Sequence, residues 1–286
     1  MTEEILSPHG LTVLKVKEFY RKYLKIPFIG AGLKGVVNFG VDTLAYLKGM
    51  KFPKKFLWDW KLELLTNKFE PETVLLFEKT VKPGMVALDL GGHVGYYARL
   101  LSKLVGSNGK VYVFEPASDT FQLLKHNTVK CNNVEIYNKA VCDKDGTTSF
   151  HKTFSHSGAN SILKPDVASE IITVPCTTID AFVKEHNINS VDVIKMDIEG
   201  AEPLAFKGAE QTIKNAKSLM ISMEFIDSFV RKGGQTPKEF CQYLNGLGFT
   251  IYKILPDGET ELFEIESYNW QELSEGKFAI NLFLKK

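Results

Sequence analysis

The stretch Val86-Ala87-Leu88-Asp89-Leu90-Gly91-Gly92-His93-Val94-Gly95-Tyr96-Tyr97 constrains the chain more than any other. It opens as an apolar run of the length of a strand buried on both faces. It then meets three glycines within five residues and resumes with Tyr97, Leu100, Leu101 and Leu104 at helical spacing. The pattern predicts a strand, a tight glycine turn and a helix. A turn without side chains lets a ligand approach the backbone, and free N–H groups at the helix start favour an anionic group such as a carboxylate or phosphate.

Spacing narrows the ligand. A dinucleotide fingerprint reads G-x-G-x-x-G, whereas here the order is G-G-x-x-G with Asp89 just before it. An aspartate there repels a pyrophosphate but suits a ligand that joins an ammonium to a carboxylate, as the amino-acid end of S-adenosylmethionine does. The next apolar run, 110–114, ends on Glu115, 24 residues beyond Gly91, about where βαβ folds set an acid against ribose hydroxyls. Dinucleotides and S-adenosylmethionine both carry such a ribose, so this second signal supports a nucleoside ligand without choosing between them.

With 286 residues, 44% hydrophobic and 24% charged, the chain can bury a full core and suits one large α/β domain with an added element. Cys131, Cys142, Cys176 and Cys241 form no C-x-x-C pair, which argues against a zinc site or disulfide scaffold and for reduced thiols in a cytoplasmic protein. Residues 1–25 are polar and show no signal-peptide pattern. Residues 1–55 hold ten Lys or Arg against four Asp or Glu, a basic segment on a mildly acidic body. Lys15, Lys17, Arg21, Lys22 and Lys25 read as a solvated helix face, and nucleic acid is not an expected partner. Within this part, residues 28–47 are apolar apart from Lys34 and Asp42, but four glycines argue against a spanning helix. A helix packed on the main domain is expected. Peripheral contact with an anionic membrane, or a substrate lid, is the alternative. The organisation read from the chain is thus a helical N-terminal extension over 1–69 and a main domain over 70–286.

Residues 58–69 read as a linker, and a helix is expected to start at Glu70-Pro71-Glu72. Beyond Glu115, helices are expected at 119–130, 178–186, 201–216 and 237–247. Strands are expected at 134–141, 191–197, 218–225, 249–255 and 277–284. An excursion at 147–176 carries a polar loop around Ser155 to Ser161 between two strand-like segments. The alternation implies a doubly wound parallel sheet, whose ligands bind outside the carboxyl ends of the strands. Asp89, Glu115, Asp197 and Glu224 all fall at such ends, and their convergence is more specific than any one motif.

Four segments, in order, resemble the FkbM family of S-adenosylmethionine-dependent methyltransferases: Asp89-Leu90-Gly91-Gly92-His93-Val94-Gly95, Phe114-Glu115-Pro116, Asp143-Lys144-Asp145-Gly146, and 192–202 with its Lys195-Met196-Asp197-Ile198-Glu199-Gly200-Ala201-Glu202 core. The resemblance covers about 83–255 and implies a Rossmann-like class I sheet of about seven strands whose last strand is antiparallel. It implies transfer of a methyl group to a hydroxyl of a small molecule, sugar, or glycan- or lipid-linked acceptor. It also implies a cofactor-binding set of Asp89, Gly91, Gly92, His93, Gly95, Glu115, Ala140 and Asp197. His93 departs from the family's usual asparagine.

Methyl transfer gains from holding the acceptor oxygen at attack distance, and a neutral hydroxyl must also lose a proton. Asp197, Glu199, Glu224, His93 and His156 are candidates for the base. By the same resemblance Asp197 lies nearest the methionine part of the cofactor, and Glu224 and Glu199 are placed toward the acceptor as the catalytic candidates. Glu202 reads as a helix-start acid. No metal is expected: magnesium on Asp197 and Glu224 is disfavoured, because Met223-Glu224-Phe225 stands where a metal-dependent enzyme would have an Asp-Asn pair. A nicotinamide-dependent oxidoreductase and a non-catalytic cofactor-fold scaffold are the alternatives from other classes.

Overall fold

The apolar run at 86–90 becomes a central strand of an eight-stranded sheet. The computed structural model describes residues 27–54, 56–153, 158, 160–165, 167–268, 270 and 280–286, and the chain divides into two units, Met1–Phe69 and Glu70–Lys286. The basic residues Lys15, Lys17, Arg21, Lys22 and Lys25, His9, His156 and the 277–279 part of the last expected strand lie outside the described residues.

In the first unit, α1 (Pro27–Leu47) is followed by α2 (Trp58–Leu65). The second corrects the expected linker: Leu64 and Leu65 turn inward, and Lys61 pairs with Asp42 of α1 at 2.8 Å. Val36, Phe39, Tyr46 and Leu47 stay exposed along α1. Among the described residues no helix is long and apolar enough to cross a membrane.

The second unit opens with α3 (Pro71–Thr80), whose proline stands at the first position, where its missing N–H leaves no bond unmade. There follow β1 (Val86–Leu90), α4 (Tyr96–Val105), β2 (Lys110–Phe114), α5 (Ser118–Asn127) and β3 (Val134–Tyr137). After them come β4 (Ala140–Val141), β5 (Gly146–Thr153), β6 (Ser169–Thr177), α6 (Ile179–Glu185) and β7 (Val193–Met196). The chain continues through α7 (Glu202–Lys207), α8 (Glu210–Asn215), β8 (Met220–Phe225), α9 (Asp227–Lys232) and α10 (Pro237–Gly246). It closes with β9 (Thr250–Ile254), β10 (Thr260–Leu262) and β11 (Ile280–Lys285).

The large sheet runs β10-β9-β11-β8-β7-β1-β2-β3. Strands β3, β2, β1, β7 and β8 are mutually parallel, and β11 lies antiparallel between β8 and β9. This is the sheet arrangement that the resemblance implies, with the short edge strand β10 making eight where about seven were expected. Fully buried Leu88, Leu90, Ile194, Ile221 and Leu282 belong to one continuous core, which explains why these strands read as unbroken apolar runs.

Two expected elements are broken by contacts distant in sequence. The 134–141 strand divides at Asn138, whose amide donates to the carbonyls of Glu115 (2.8 Å) and Pro116 (3.0 Å). Thus β3 stays in the large sheet, while β4 joins a second sheet ordered β4-β6-β5. The 201–216 helix divides at Gly208, where any side chain would run into the Cys142 carbonyl. Helix α9 was not anticipated. The four cysteines are free, and burial beside Cys176 pushes the Cys142 thiol up to about 12, an inert environment.

Candidate active site

The turn after β1 is set by close backbone packing. Gly91 (φ 88°), His93 (φ 43°) and Gly95 (φ 86°) are left-handed. A side chain at Gly91 would strike the Asp197 carbonyl, and one at Gly92 would strike Val113. The N–H groups of Gly91 and Gly92 both donate to the Phe114 carbonyl (3.0 and 2.9 Å), and that of Gly95 to Gly92 (2.7 Å). His93 N–H donates to the Glu115 carboxylate at 3.0 Å. This corrects the expectation of an open anion cradle: four of the turn's N–H groups are bonded within the fold, and the turn is a rigid platform for close approach.

Glu115 is fixed by the same bond and by a second from Ala117 N–H to Oε1 at 2.8 Å. Burial lifts its pKa to about 7 against the pull of these two donors. Its position beside the glycine turn comes from the parallel pairing of β1 with β2.

Strand register builds the rest. Asp89 stands opposite Lys195 on β7, Lys195 opposite Ser222 on β8, and Glu224 opposite Asn281 on β11. Because side chains alternate along a strand, Asp89 shares its face of the sheet with Lys195 and Ser222, and Asp197 and Glu224 follow two residues on. Asp197 continues the ladder, its N–H donating to Leu90 at 2.9 Å.

Asp89 is 1% exposed, and its Oδ2 has no hydrogen-bond partner among the described residues. Burial raises its pKa to about 7, Lys195 opposes the rise, and Asp197 adds to it. Lys195 is fully buried. Its Nζ pairs with Glu70 Oε2 at 3.1 Å and lies 4.9 Å from the Tyr97 ring centroid, and Tyr97 Oη donates to the same carboxylate oxygen at 2.7 Å. Burial works against the Lys195 ammonium, yet Glu70 and Asp197 hold its pKa above the ordinary lysine value. Burial raises Asp197 as well, with Lys195 opposing.

Beyond β7 the chain turns through Glu199 (φ 54°) and Gly200 (φ 98°) into α7. Burial, then Asp197, Glu224 and Glu202, push Glu199 up to about 9. Burial and Asp197 bring Glu224 to about 7. Glu202 is buried at the start of α7 and accepts from Ile198 N–H at 3.3 Å, as a helix-start acid should.

The fold therefore gathers Asp89, Gly91, Gly92, His93, Gly95, Glu115, Asp197, Glu199 and Glu224 at adjoining strand tips and the turns that follow them. Ala140 begins β4, paired with Cys176 in the second sheet and in one cluster with Phe150, Val174 and Ala117, whose N–H holds Glu115. Sequence reasoning missed Glu70, Tyr97 and the role of Lys195. A lone lysine inside Val193-Ile194-Lys195-Met196 was the available signal, since a charge in a buried strand needs a partner. Among the described residues, no group of three or more His, Cys, Asp and Glu side chains is arranged to hold a metal ion. A groove of about 620 Å³ lies between α6, α8 and the 187–191 segment leading into β7, at the opposite end of that strand from the carboxylates.

Carboxylates outnumber cations in this crevice, and their raised pKa values show each strained by the others and by burial. The arrangement calls for a ligand that brings positive charge and hydrogen-bond donors.

Comparison with known proteins finds a family match and relatives. A family model described as the methyltransferase FkbM domain matches residues 89–251. The chain is 26% identical over 181 residues to the 2-O-methyltransferase NoeI of Sinorhizobium fredii, covering 58% of this chain and 72% of that protein. It is 22% identical over 187 residues to the hexuronic acid methyltransferase AglP of Haloferax volcanii, covering 65% and 71%. A crystal structure of a SAM-dependent methyltransferase from Aquifex aeolicus aligns at 20% identity and a TM-score of 0.38, over 86% of this chain and 97% of that one.

Proposed function

We propose, from the premise that the chain belongs to the FkbM family of S-adenosylmethionine-dependent methyltransferases and is an O-methyltransferase, that it methylates a sugar hydroxyl, with cofactor and acceptor meeting at the tips of β1, β2, β7 and β8. The observation that carries this reading is the partnerless, buried Asp89 Oδ2 amid carboxylates whose only close buried cation among the described residues is Lys195.

S-adenosylmethionine supplies an electrophilic methyl carbon on a sulfonium, together with an ammonium group. Asp89 and Asp197 would hold the positive end, and the glycine turn would let it approach the backbone. Glu115, kept rigid by two backbone donors, would accept from ribose hydroxyls. Lys195, Glu70 and Tyr97 brace these acids from beneath. Glu224 is the better placed base: a pKa near 7 leaves it substantially ionised at neutral pH while keeping it basic enough to take a hydroxyl proton. Glu199, near 9, keeps its proton at neutral pH and would donate a hydrogen bond to the acceptor.

The sugar class is supported by the two relatives, one named for 2-O-methylation and the other for a hexuronic acid. The crevice here is acidic, so neutral glycosides are expected to react at least about tenfold faster in kcat/KM than the matching uronates. S-adenosylmethionine carrying a 13C-methyl label, with a panel of both, read by mass spectrometry for a gain of about 15 Da on the sugar, tests this. Label appearing only on uronates would reverse the preference, and label on no sugar would remove the acceptor class.

The exposed Val36, Phe39, Tyr46 and Leu47 of α1 support a peripheral contact of the N-terminal unit with anionic membranes. Liposomes containing anionic lipid are expected to retain the full chain but not one starting near residue 52. Equal retention would remove this second role.

A further inference from the structure

Ser161 carries more contacts than a connecting segment needs. His151 N–H donates to its carbonyl at 2.7 Å and its own N–H donates back at 3.1 Å, which fixes it to β5. Its hydroxyl donates to the backbone carbonyl of Glu199 at 2.7 Å and accepts from Leu163 N–H at 3.0 Å. At 4% exposure, water competes little for these bonds. The residue it grips is in a costly conformation. Glu199 is left-handed without being glycine, a state that persists only when its surroundings hold it. The next residue, Gly200, is hemmed in by Phe229, at 3.1 Å from where a Cβ would stand, so the turn has little room to absorb change on that side.

We propose that Ser161 is the positioning residue for Glu199: through this one hydroxyl, the second sheet holds the left-handed turn that keeps the Glu199 carboxyl in the crevice. The inference rests on the reading of Glu199 as an acceptor-facing group and gives the β5–β6 hairpin a part in the reaction. Without the bond, the Glu199 carbonyl loses a buried donor and the turn relaxes toward the right-handed region, swinging the carboxyl toward water.

The carboxyl itself reports the change. In the crevice, burial and the facing Asp197, Glu224 and Glu202 raise its pKa to about 9, while Lys195 lowers it. A carboxyl released to solvent sheds that elevation. In the full chain labelled with 13C-glutamate, the Glu199 Cδ resonance is the one missing from Glu199→Gln, and its midpoint can be followed with pH. Ser161→Ala is expected to lower the midpoint by about one pH unit or more. Ser161→Thr, which keeps the hydroxyl, should restore it. Affinity for S-adenosylhomocysteine should stay within about threefold throughout, since Ser161 does not touch the proposed cofactor side. If the alanine variant does not fold, Ser161→Cys, close in size with a weak donor, gives the same reading. A midpoint unmoved by the loss of the hydroxyl, or lowered but not restored by threonine, overturns the proposal. The titration needs no acceptor. Failure of the acceptor role would show instead as undiminished methyl transfer by Glu199→Ala, which keeps no donor in place of the acid.

Discussion

Asp89→Asn is expected to weaken S-adenosylmethionine binding by some thirty- to several-thousand-fold at pH 8, read by calorimetry. Removing one partner of a buried charge pair costs about 2–5 kcal/mol, and each 1.4 kcal/mol or so is tenfold in affinity. The wild-type protein should also bind with a pH dependence that the variant lacks. With the Asp89 carboxyl near 7, a cationic ligand arriving at lower pH must displace a proton, so affinity falls by up to about tenfold per pH unit below that point. In the cofactor-free protein the sign reverses. The folded chain holds the Asp89 proton more tightly than the unfolded chain, whose value is near 3.8. The stabilisation is therefore full below about pH 4 and is lost as pH rises through 7. At about 1.4 kcal/mol per tenfold in proton affinity, that loss is roughly 4 kcal/mol. Free of this penalty, Asp89→Asn without cofactor should melt above wild type at pH 8. Unchanged affinity at pH 8 would withdraw Asp89 from the cofactor set.

Glu224→Gln is expected to lower kcat by about 10²–10⁴, the usual worth of a placed base, with S-adenosylhomocysteine affinity nearly unchanged. Glu199→Gln should lower kcat by less than about tenfold, because an amide reproduces the donor of the protonated acid. The wild-type kcat should rise with pH around 7 as Glu224 ionises, and that limb should vanish in Glu224→Gln. Kinetics on a glycoside that accepts label decide it. If Glu199→Gln is the crippled variant and Glu224→Gln keeps its activity, the two carboxylates exchange roles.

What the sequence disclosed and what it hid follow from distance along the chain. The β1 strand, its glycine turn and Glu115 were legible because each depends on neighbours within a few residues: an apolar run, missing side chains, an acid closing a strand. The 195–202 segment was legible for the same reason. The rest depends on partners that periodicity does not register. Asn138 ends β3 by bonding carbonyls 22 and 23 residues back. The kink at Gly208 exists because the Cys142 carbonyl occupies the space of a side chain. Glu70, read as a helix-start acid and found at the start of α3, also meets Lys195 across six intervening strands in sequence. Ser161 read as one more residue of a polar loop, and its bond to Glu199, 38 residues on, is not registered by periodicity.

The Asn138 tie has a consequence for how such enzymes diversify. Because that one side chain closes off β3, the β4-β6-β5 sheet hangs from the platform as a cassette, with no ladder shared between the two sheets. Its hairpin can lengthen, shorten or change chemistry while the β1 and β8 tips stay as they are, so long as the Ser161 hydroxyl still reaches the turn after β7. The second sheet can thus vary as an appendage tied to the turn after β7 by the Ser161 hydroxyl.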